Sequence, residues 1–197
     1  MMSGSNALAA AYHATTLQVA SDPRLLGFAG WPHAIPAPRP TVSIPAADIL
    51  RNWDGGHVPE TANLHEAIRA ITDVVEWKQT YTEQEVGEDF LNRYGYFELV
   101  GPMGHFQTSG LRAYIAYWGH MLTYDWHMHE AEELYYIVSG EALFMSEGIE
   151  PDVLKPGDVR IHRSNQPHAM TTTDHPVLAL VLWRGDGLLG TPRMGRT

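Results

Sequence analysis

The chain has no cysteine among its 197 residues. That excludes thiolate metal ligands, thiol nucleophiles and disulfides, and leaves chemistry to His, Glu, Asp, Tyr, Ser and Lys. Basic residues are also scarce: 13 Lys and Arg stand against 23 Asp and Glu, a formal charge of −10. Without a basic patch the chain has no means of binding a polyphosphate backbone or an anionic bilayer, so neither nucleic acid nor membrane is an expected partner. No Lys or Arg precedes Arg24, and no apolar run reaches the length of a membrane span. The N-terminal residues therefore do not read as a signal peptide, and the expected location is cytoplasmic. Repeats and low-complexity tracts are absent. An apolar content of 44% is enough for this length to bury a core without staples. Composition leaves monomer and homodimer equally open.

The pattern changes part-way along the chain. Residues 1–98 read mainly helical. Ser5 caps a helix through Ala20 that ends at Ser21-Asp22-Pro23. Trp31 to Pro40 is a proline-rich connector, and Pro45 to Trp53 a short helix stopped by Gly55-Gly56. Leu64, Ala67, Ile68, Ile71, Val74 and Val75 recur at helical spacing, and Thr82 with Glu85 forms a capping box for a helix through Tyr94. Trp77, Tyr81 and Tyr94 read as packing residues. From Leu99 the chain breaks into short runs rich in branched and aromatic residues: LRAYIAYW, ELYYIVSG, EALFM, DVRIH and PVLALVLW. These are too closely spaced for helical crossovers, so residues 99–197 are expected to form an antiparallel barrel or double-sheet jelly roll carrying the site. The first 98 residues form a helical extension packed on it.

The densest chemistry lies in DWHMHEAEELYYIVSG, Asp125 to Gly140. His127, His129, Glu133 and Tyr135 all fall at odd positions. In an extended strand alternate side chains share a face, so His127 pairs with His129 and Glu133 with Tyr135. A turn at Glu130 to Glu132 folds the second pair back beside the first. Downstream, PGDVRIHRSNQPH ends at His168, with His162 an alternative ligand six residues earlier. Imidazoles plus a carboxylate suit one divalent metal ion, Zn2+ or Fe2+, with Mn2+ also accommodated. Tyr136, of opposite parity, faces away from the metal. His13, His33, His57, His65 and His105 lie outside the motif, and His120 and His175 are spare.

These residues resemble the cupin family. His127-x-His129-x3-Glu133-x6-Gly140 fits its first motif from the first histidine onward, although Gly119 lies two residues too far upstream for the opening glycine. The second motif departs further, with Pro156-Gly157-Asp158, a longer gap, Pro167-His168, and Thr172 where asparagine is the pattern. The resemblance implies a mainly β fold, a cupin jelly-roll barrel with an N-terminal α-helical extension. Within the cupins, YDWHMHEAEELYYIVSGEA, above all Glu133-Leu134-Tyr135, is similar to the bacterial dimethylsulfoniopropionate lyases of the DddQ type. That likeness implies β-elimination of a small zwitterionic sulfonium substrate to dimethyl sulfide and acrylate. By resemblance the metal ligands are His129, Glu133, Tyr135 and His168. His127 is counted as a ligand by the general cupin pattern and as a neighbouring group by the lyase pattern. Tyr135 is the implied base, with Tyr124 and His127 as further catalytic groups.

Elimination asks for such residues. The proton to be removed lies next to an anionic carboxylate, so the site needs positive charge there and a strong base. A sulfonium accepts no conventional hydrogen bond, and aromatic faces hold such a cation. Tyr124, Trp126 and Trp183 are the expected substrate contacts, with Tyr117 and Trp118 as further candidates. Two other readings use the same ligands: an iron dioxygenase, and a non-catalytic metabolite-binding cupin. Fold alone does not choose among them.

Overall fold

A computed structural model describes residues 4–195. The helical part comprises α1 (Gly4–Ser21), α2 (Pro23–Ala29), α3 (Pro45–Asn52), α4 (Pro59–Arg69), α5 (Glu83–Val86) and α6 (Glu88–Arg93), with the two-residue strand β1 (Ile35–Pro36) in the proline-rich connector. The rest is β2 (Tyr94–Gly101), β3 (Phe106–Gln107), β4 (Arg112–Trp118), β5 (Thr123–Met128), β6 (Glu132–Gly140), β7 (Ala142–Ser146), β8 (Ile149–Leu154), β9 (Val159–His162), β10 (His168–Thr171), β11 (Val177–Arg184) and β12 (Arg193–Met194). They form two sheets, ordered β1-β3-β2-β4-β11-β6-β9 and β12-β5-β10-β7-β8. This is the double-sheet jelly roll expected from the sequence.

Strand parity separates two cores. On β6, Leu134, Tyr136 and Val138 pack toward the helices; on β11, Leu178, Leu180 and Leu182 do so; on β4, Ala113, Ile115 and Tyr117. Their alternates Tyr135 and Ile137, Ala179, Val181 and Trp183, and Tyr114, Ala116 and Trp118 fill the barrel interior. The large sheet is buried on both faces, which is why its strands read as nearly continuous apolar runs. The helices contribute Leu25, Leu50, Leu64 and Ile68, all essentially fully buried, to the outer core. Each such side chain contributes roughly 1.5–3 kcal/mol by leaving water.

Several elements differ from the sequence reading. The helix expected from Thr82 through Tyr94 is broken: the Thr82–Glu85 capping box is present, but Gly87 at φ 82° ends α5 and starts α6. The apolar periodicity through Val75 outlasts its helix, since α4 ends at Arg69 and the following turns bury Ile71 and Val75. The unbroken succession of strands begins at Tyr94, so β2 straddles residues 98 and 99 and the last helix ends at Arg93. Gly140 closes β6 as expected. It adopts φ 73°, its N–H donates to the Gly56 carbonyl at 2.7 Å, and a Cβ there would lie 1.7 Å from the Pro176 carbonyl oxygen. No other residue fits that position.

Candidate metal centre

Three strands bring the expected ligands together. β5 and the turn after it supply His127 and His129, β6 supplies Glu133 and Tyr135, and β10 supplies His168, which pairs with His127 in register. All five are buried. Glu133 Oε2 lies 3.3 Å from His129 Nε2 and 3.1 Å from His168 Nε2. Apart from these approaches, none of the three atoms has a hydrogen-bond partner.

The opposite edge of each imidazole is tied down. His127 Nδ1 lies 2.9 Å from the Asp125 carbonyl, His129 Nδ1 2.9 Å from the Ala131 carbonyl, and His168 Nδ1 2.8 Å from the Gln166 carbonyl. A carbonyl only accepts, so each Nδ1 carries the proton and each Nε2 presents a lone pair inward. This is how proteins orient histidine ligands. One ligand atom each of His127, His129 and His168 lies within 4.8 Å of the other two. Convergent, buried donors, with those of His129, Glu133 and His168 otherwise unpartnered, fit a divalent cation.

The charges agree. Burial opposes ionisation of Glu133, yet His129 and His168 hold its carboxyl well below the usual range. Burial likewise disfavours charge on His129, but Glu133 and the Ala131 carbonyl outweigh it and raise the imidazole. His127 is pushed down to about 3 by burial and by His168, and so is neutral. Burial, with Glu133 alongside, holds the Tyr135 phenol well above its ordinary value. Burial and the neighbouring Tyr94 do the same to Tyr124.

Beside the ligands opens a small cavity of about 60 Å3. Its lining includes Tyr94, Tyr96, Tyr114, Trp118, Tyr124, Tyr135 and Trp183, and Glu133 is its one charged lining residue. Tyr96 and Tyr114 meet edge-on at 5.4 Å between centroids, as do Tyr114 and Trp183.

The profile of the dimethylsulfoniopropionate (DMSP) lyase family matches residues 41–179. The chain belongs to the DMSP lyase family. A curated relative, dimethylsulfoniopropionate lyase DddQ of Ruegeria pomeroyi, is 40% identical over 168 residues, which is 85% of this chain and 84% of that protein. Among solved structures, a chain described with the DMSP lyases RdDddP and RnDddQII superposes with a TM-score of 0.96 at 46% identity, covering 98% of this chain and 100% of that one. The DddQ structure from Ruegeria pomeroyi gives 0.89 at 36% identity and covers 96% of each.

The geometry of this DMSP lyase family member refines the residue assignments. Tyr124 and His127 reach one face because β5 is bulged. His127 pairs with His168 and Tyr124 with Met170, so Asp125 and Trp126 together oppose Ala169 alone. The Tyr124 and His127 rings consequently lie 4.1 Å apart. The same bulge turns Trp126 aside; it is half-buried and is not among the residues lining the cavity. Tyr117 faces the helices, whereas Trp118 lines the cavity. Trp183 does more than face the pocket. Its indole N–H donates to Glu133 Oε1 at 2.8 Å, and its ring stacks on His129 at 4.2 Å.

Sequence reasoning missed Tyr96 and Tyr114 and set Tyr94 and Tyr81 down as packing. Tyr94 lines the cavity, and the Tyr81 hydroxyl lies 2.9 Å from that of Tyr124. The alternation Tyr94-Tyr96 and Tyr114-Ala116-Trp118 was the available signal. Tyr136 faces away as expected and packs against the helical layer, where Gln18 Nε2 donates to its hydroxyl at 2.8 Å.

Proposed function

We propose that this protein cleaves dimethylsulfoniopropionate to dimethyl sulfide and acrylate by β-elimination, with Tyr135 as the base. The observation that carries the reading is the juxtaposition of two surroundings in one barrel. At one end, inward lone pairs of His129 and His168 converge on Glu133. At the other, the space is lined mainly by aromatic rings. A zwitterion with an anionic head and a soft cationic tail matches that asymmetry.

His129, Glu133 and His168 would hold the metal, Zn2+ or Fe2+ with Mn2+ as a further candidate, with Tyr135 or His127 as an additional donor. When bound, the ion supplies positive charge that offsets the substrate carboxylate and acidifies the adjacent phenol. The protein's own groups do the rest. Tyr124 and His127, in ring contact, receive the carboxylate end. The Tyr135 phenolate removes a proton from the carbon next to the carboxylate. The electrons of that C–H bond form the new double bond, and those of the C–S bond leave with dimethyl sulfide. Burial raises the phenol in the protein alone, so its conjugate base, once formed, is a strong one. The faces of Tyr96, Tyr114 and Trp183 hold the sulfonium, each worth roughly 0.5–2 kcal/mol. Among the described residues no helix is long and apolar enough to cross a membrane.

The test is to mix metal-loaded protein with dimethylsulfoniopropionate under anaerobic conditions and measure headspace dimethyl sulfide and dissolved acrylate. Elimination predicts both in equal amounts. Release that requires oxygen, or none at all, overturns the reading.

A further inference from the structure

The segment between α4 and α5 lies outside the jelly roll, yet it is fastened to β2 much as another strand would be. Lys78 N–H donates to the Tyr96 carbonyl at 2.7 Å, and Tyr96 N–H to the Lys78 carbonyl at 3.0 Å. The side-chain amide of Gln79 donates to the carbonyls of Leu91 and Tyr94. So anchored, the next two residues reach the barrel interior. Thr80 lines the cavity. Tyr81 is buried in the inner core and is not among the lining residues. It stands behind one that is: its ring meets that of Tyr124 at 5.8 Å and 63°, and the two hydroxyls are 2.9 Å apart.

The Tyr124 ring is held by Phe90, Tyr94, Trp118 and His127, with centroids 4.1 to 6.2 Å away. A ring so packed stays in place, but its hydroxyl hydrogen still rotates to suit its neighbours. Tyr81 sets that rotation. Its hydroxyl has no other hydrogen-bond partner among the described residues. Burial pushes its phenol up to about 12, so it keeps its proton through the neutral range. With Tyr81 donating, the Tyr124 oxygen accepts, and the Tyr124 O–H is left for the cavity. A hydroxyl that accepts one hydrogen bond also donates the next more strongly.

We propose that Tyr81 is a positioning residue for the elimination: it donates to the Tyr124 hydroxyl and turns that group's own O–H toward the substrate carboxylate. The inference rests on the function proposed above. Removing the proton next to the carboxylate moves negative charge onto it, so a donor aimed there binds the transition state more strongly than the ground state. Losing the aim should therefore lower kcat and leave KM nearly unchanged. The helical part is then more than a cover for the sheet, because the segment it carries completes the carboxylate end of the site.

The experiment is a double-mutant cycle of Tyr81→Phe and Tyr124→Phe in the metal-loaded full chain, with kcat and KM for dimethylsulfoniopropionate read from headspace dimethyl sulfide. Bound metal and melting temperature are measured for each variant, so that rates refer to folded, loaded molecules. Tyr81→Phe should lower kcat about 5–20-fold, with KM within about twofold of wild type. In the Tyr124→Phe background the same change should alter kcat by less than about twofold, because the hydroxyl it aims is gone. A packing role for Tyr81 would cost as much in either background. Tyr81→Phe that turns over like wild type, or that loses its full factor on top of Tyr124→Phe, overturns the role while leaving the lyase reading intact. A wild type that releases no dimethyl sulfide overturns both.

Discussion

Tyr135 and Tyr136 are consecutive residues of one strand, and their surroundings have almost nothing in common. Tyr136 turns outward to the helices, where Gln18 donates to it and burial pushes its phenol up to about 12. Tyr135 turns inward beside Glu133, among Trp118, Phe144 and His162. The pairs continue along the chain. Glu133 is a candidate ligand and Leu134 is core; Trp183 orients Glu133 and Leu182 packs on the helices. One face of the sheet packs on the helices and the other lines the candidate site, and along the regular strands parity assigns each residue to its face.

That division should break cleanly under substitution. Glu133→Ala should abolish bound metal and turnover together, read by elemental analysis and headspace assay, because the carboxylate shared by His129 and His168 is gone. Leu134→Ala should keep the metal and instead lose about 2–5 kcal/mol of stability in denaturant unfolding. Metal loss in Leu134→Ala equal to that in Glu133→Ala would dissolve the distinction between the faces.

A smaller effect is expected at Trp183. Trp183→Phe keeps an aromatic face but removes the indole donor to Glu133 Oε1. Metal affinity should fall about 10–100-fold, the usual cost of losing a group that orients a ligand. Unchanged affinity would make Trp183 a wall of the pocket and nothing more. Smaller again, Tyr114→Leu should weaken the sulfonium substrate by roughly 0.5–2 kcal/mol while leaving acrylate binding unchanged, since acrylate has no cation for the ring to meet. Equal weakening of both ligands would remove Tyr114 from the cation-binding wall.

The two faces should also answer differently to pH. On the inner face the base must be ionised. Turnover should therefore rise toward alkaline pH, falling about tenfold per unit below the phenol's value in the loaded protein. On the outer face His65 is fully buried between Ser139 and the Trp53 carbonyl, and burial lowers its imidazole. Its contribution to stability is present above the unfolded value of about 6.5 and is lost as pH falls through and below it. Melting temperatures across that range should show an acid loss that His65→Gln reduces, with turnover per folded molecule unaffected.

Much of this division was legible in the sequence, because regular strands obey parity. The inward grouping of His127, His129, Glu133 and Tyr135, the outward face of Tyr136 and the turn at Gly140 all follow from it. What was not legible depends on departures from regularity or on long-range pairing. The bulge at Asp125-Trp126 leaves no mark in residue types, yet it brings Tyr124 beside His127 and turns Trp126 away. Tyr96 and Tyr114 enter the pocket because β2 begins at Tyr94, ahead of the expected start of the barrel, and pairs with β4. The bond from Trp183 to Glu133 joins residues 50 positions apart, and no local pattern encodes it. His162 lies six residues before His168, yet the ladder sets it opposite Glu133 and its ring lies flat on His168.

The most direct test of the account compares the two adjacent tyrosines. Tyr135→Phe and Tyr136→Phe each remove one hydroxyl from the same strand, and both proteins can be loaded with metal and given dimethylsulfoniopropionate. Dimethyl sulfide release should fall about 10^2–10^4-fold in Tyr135→Phe with most of the metal retained. In Tyr136→Phe it should stay within about twofold of wild type, with a loss of only roughly 0.5–1.5 kcal/mol in stability. Full release by metal-loaded Tyr135→Phe would contradict the assignment of the base and the chemical face built around it.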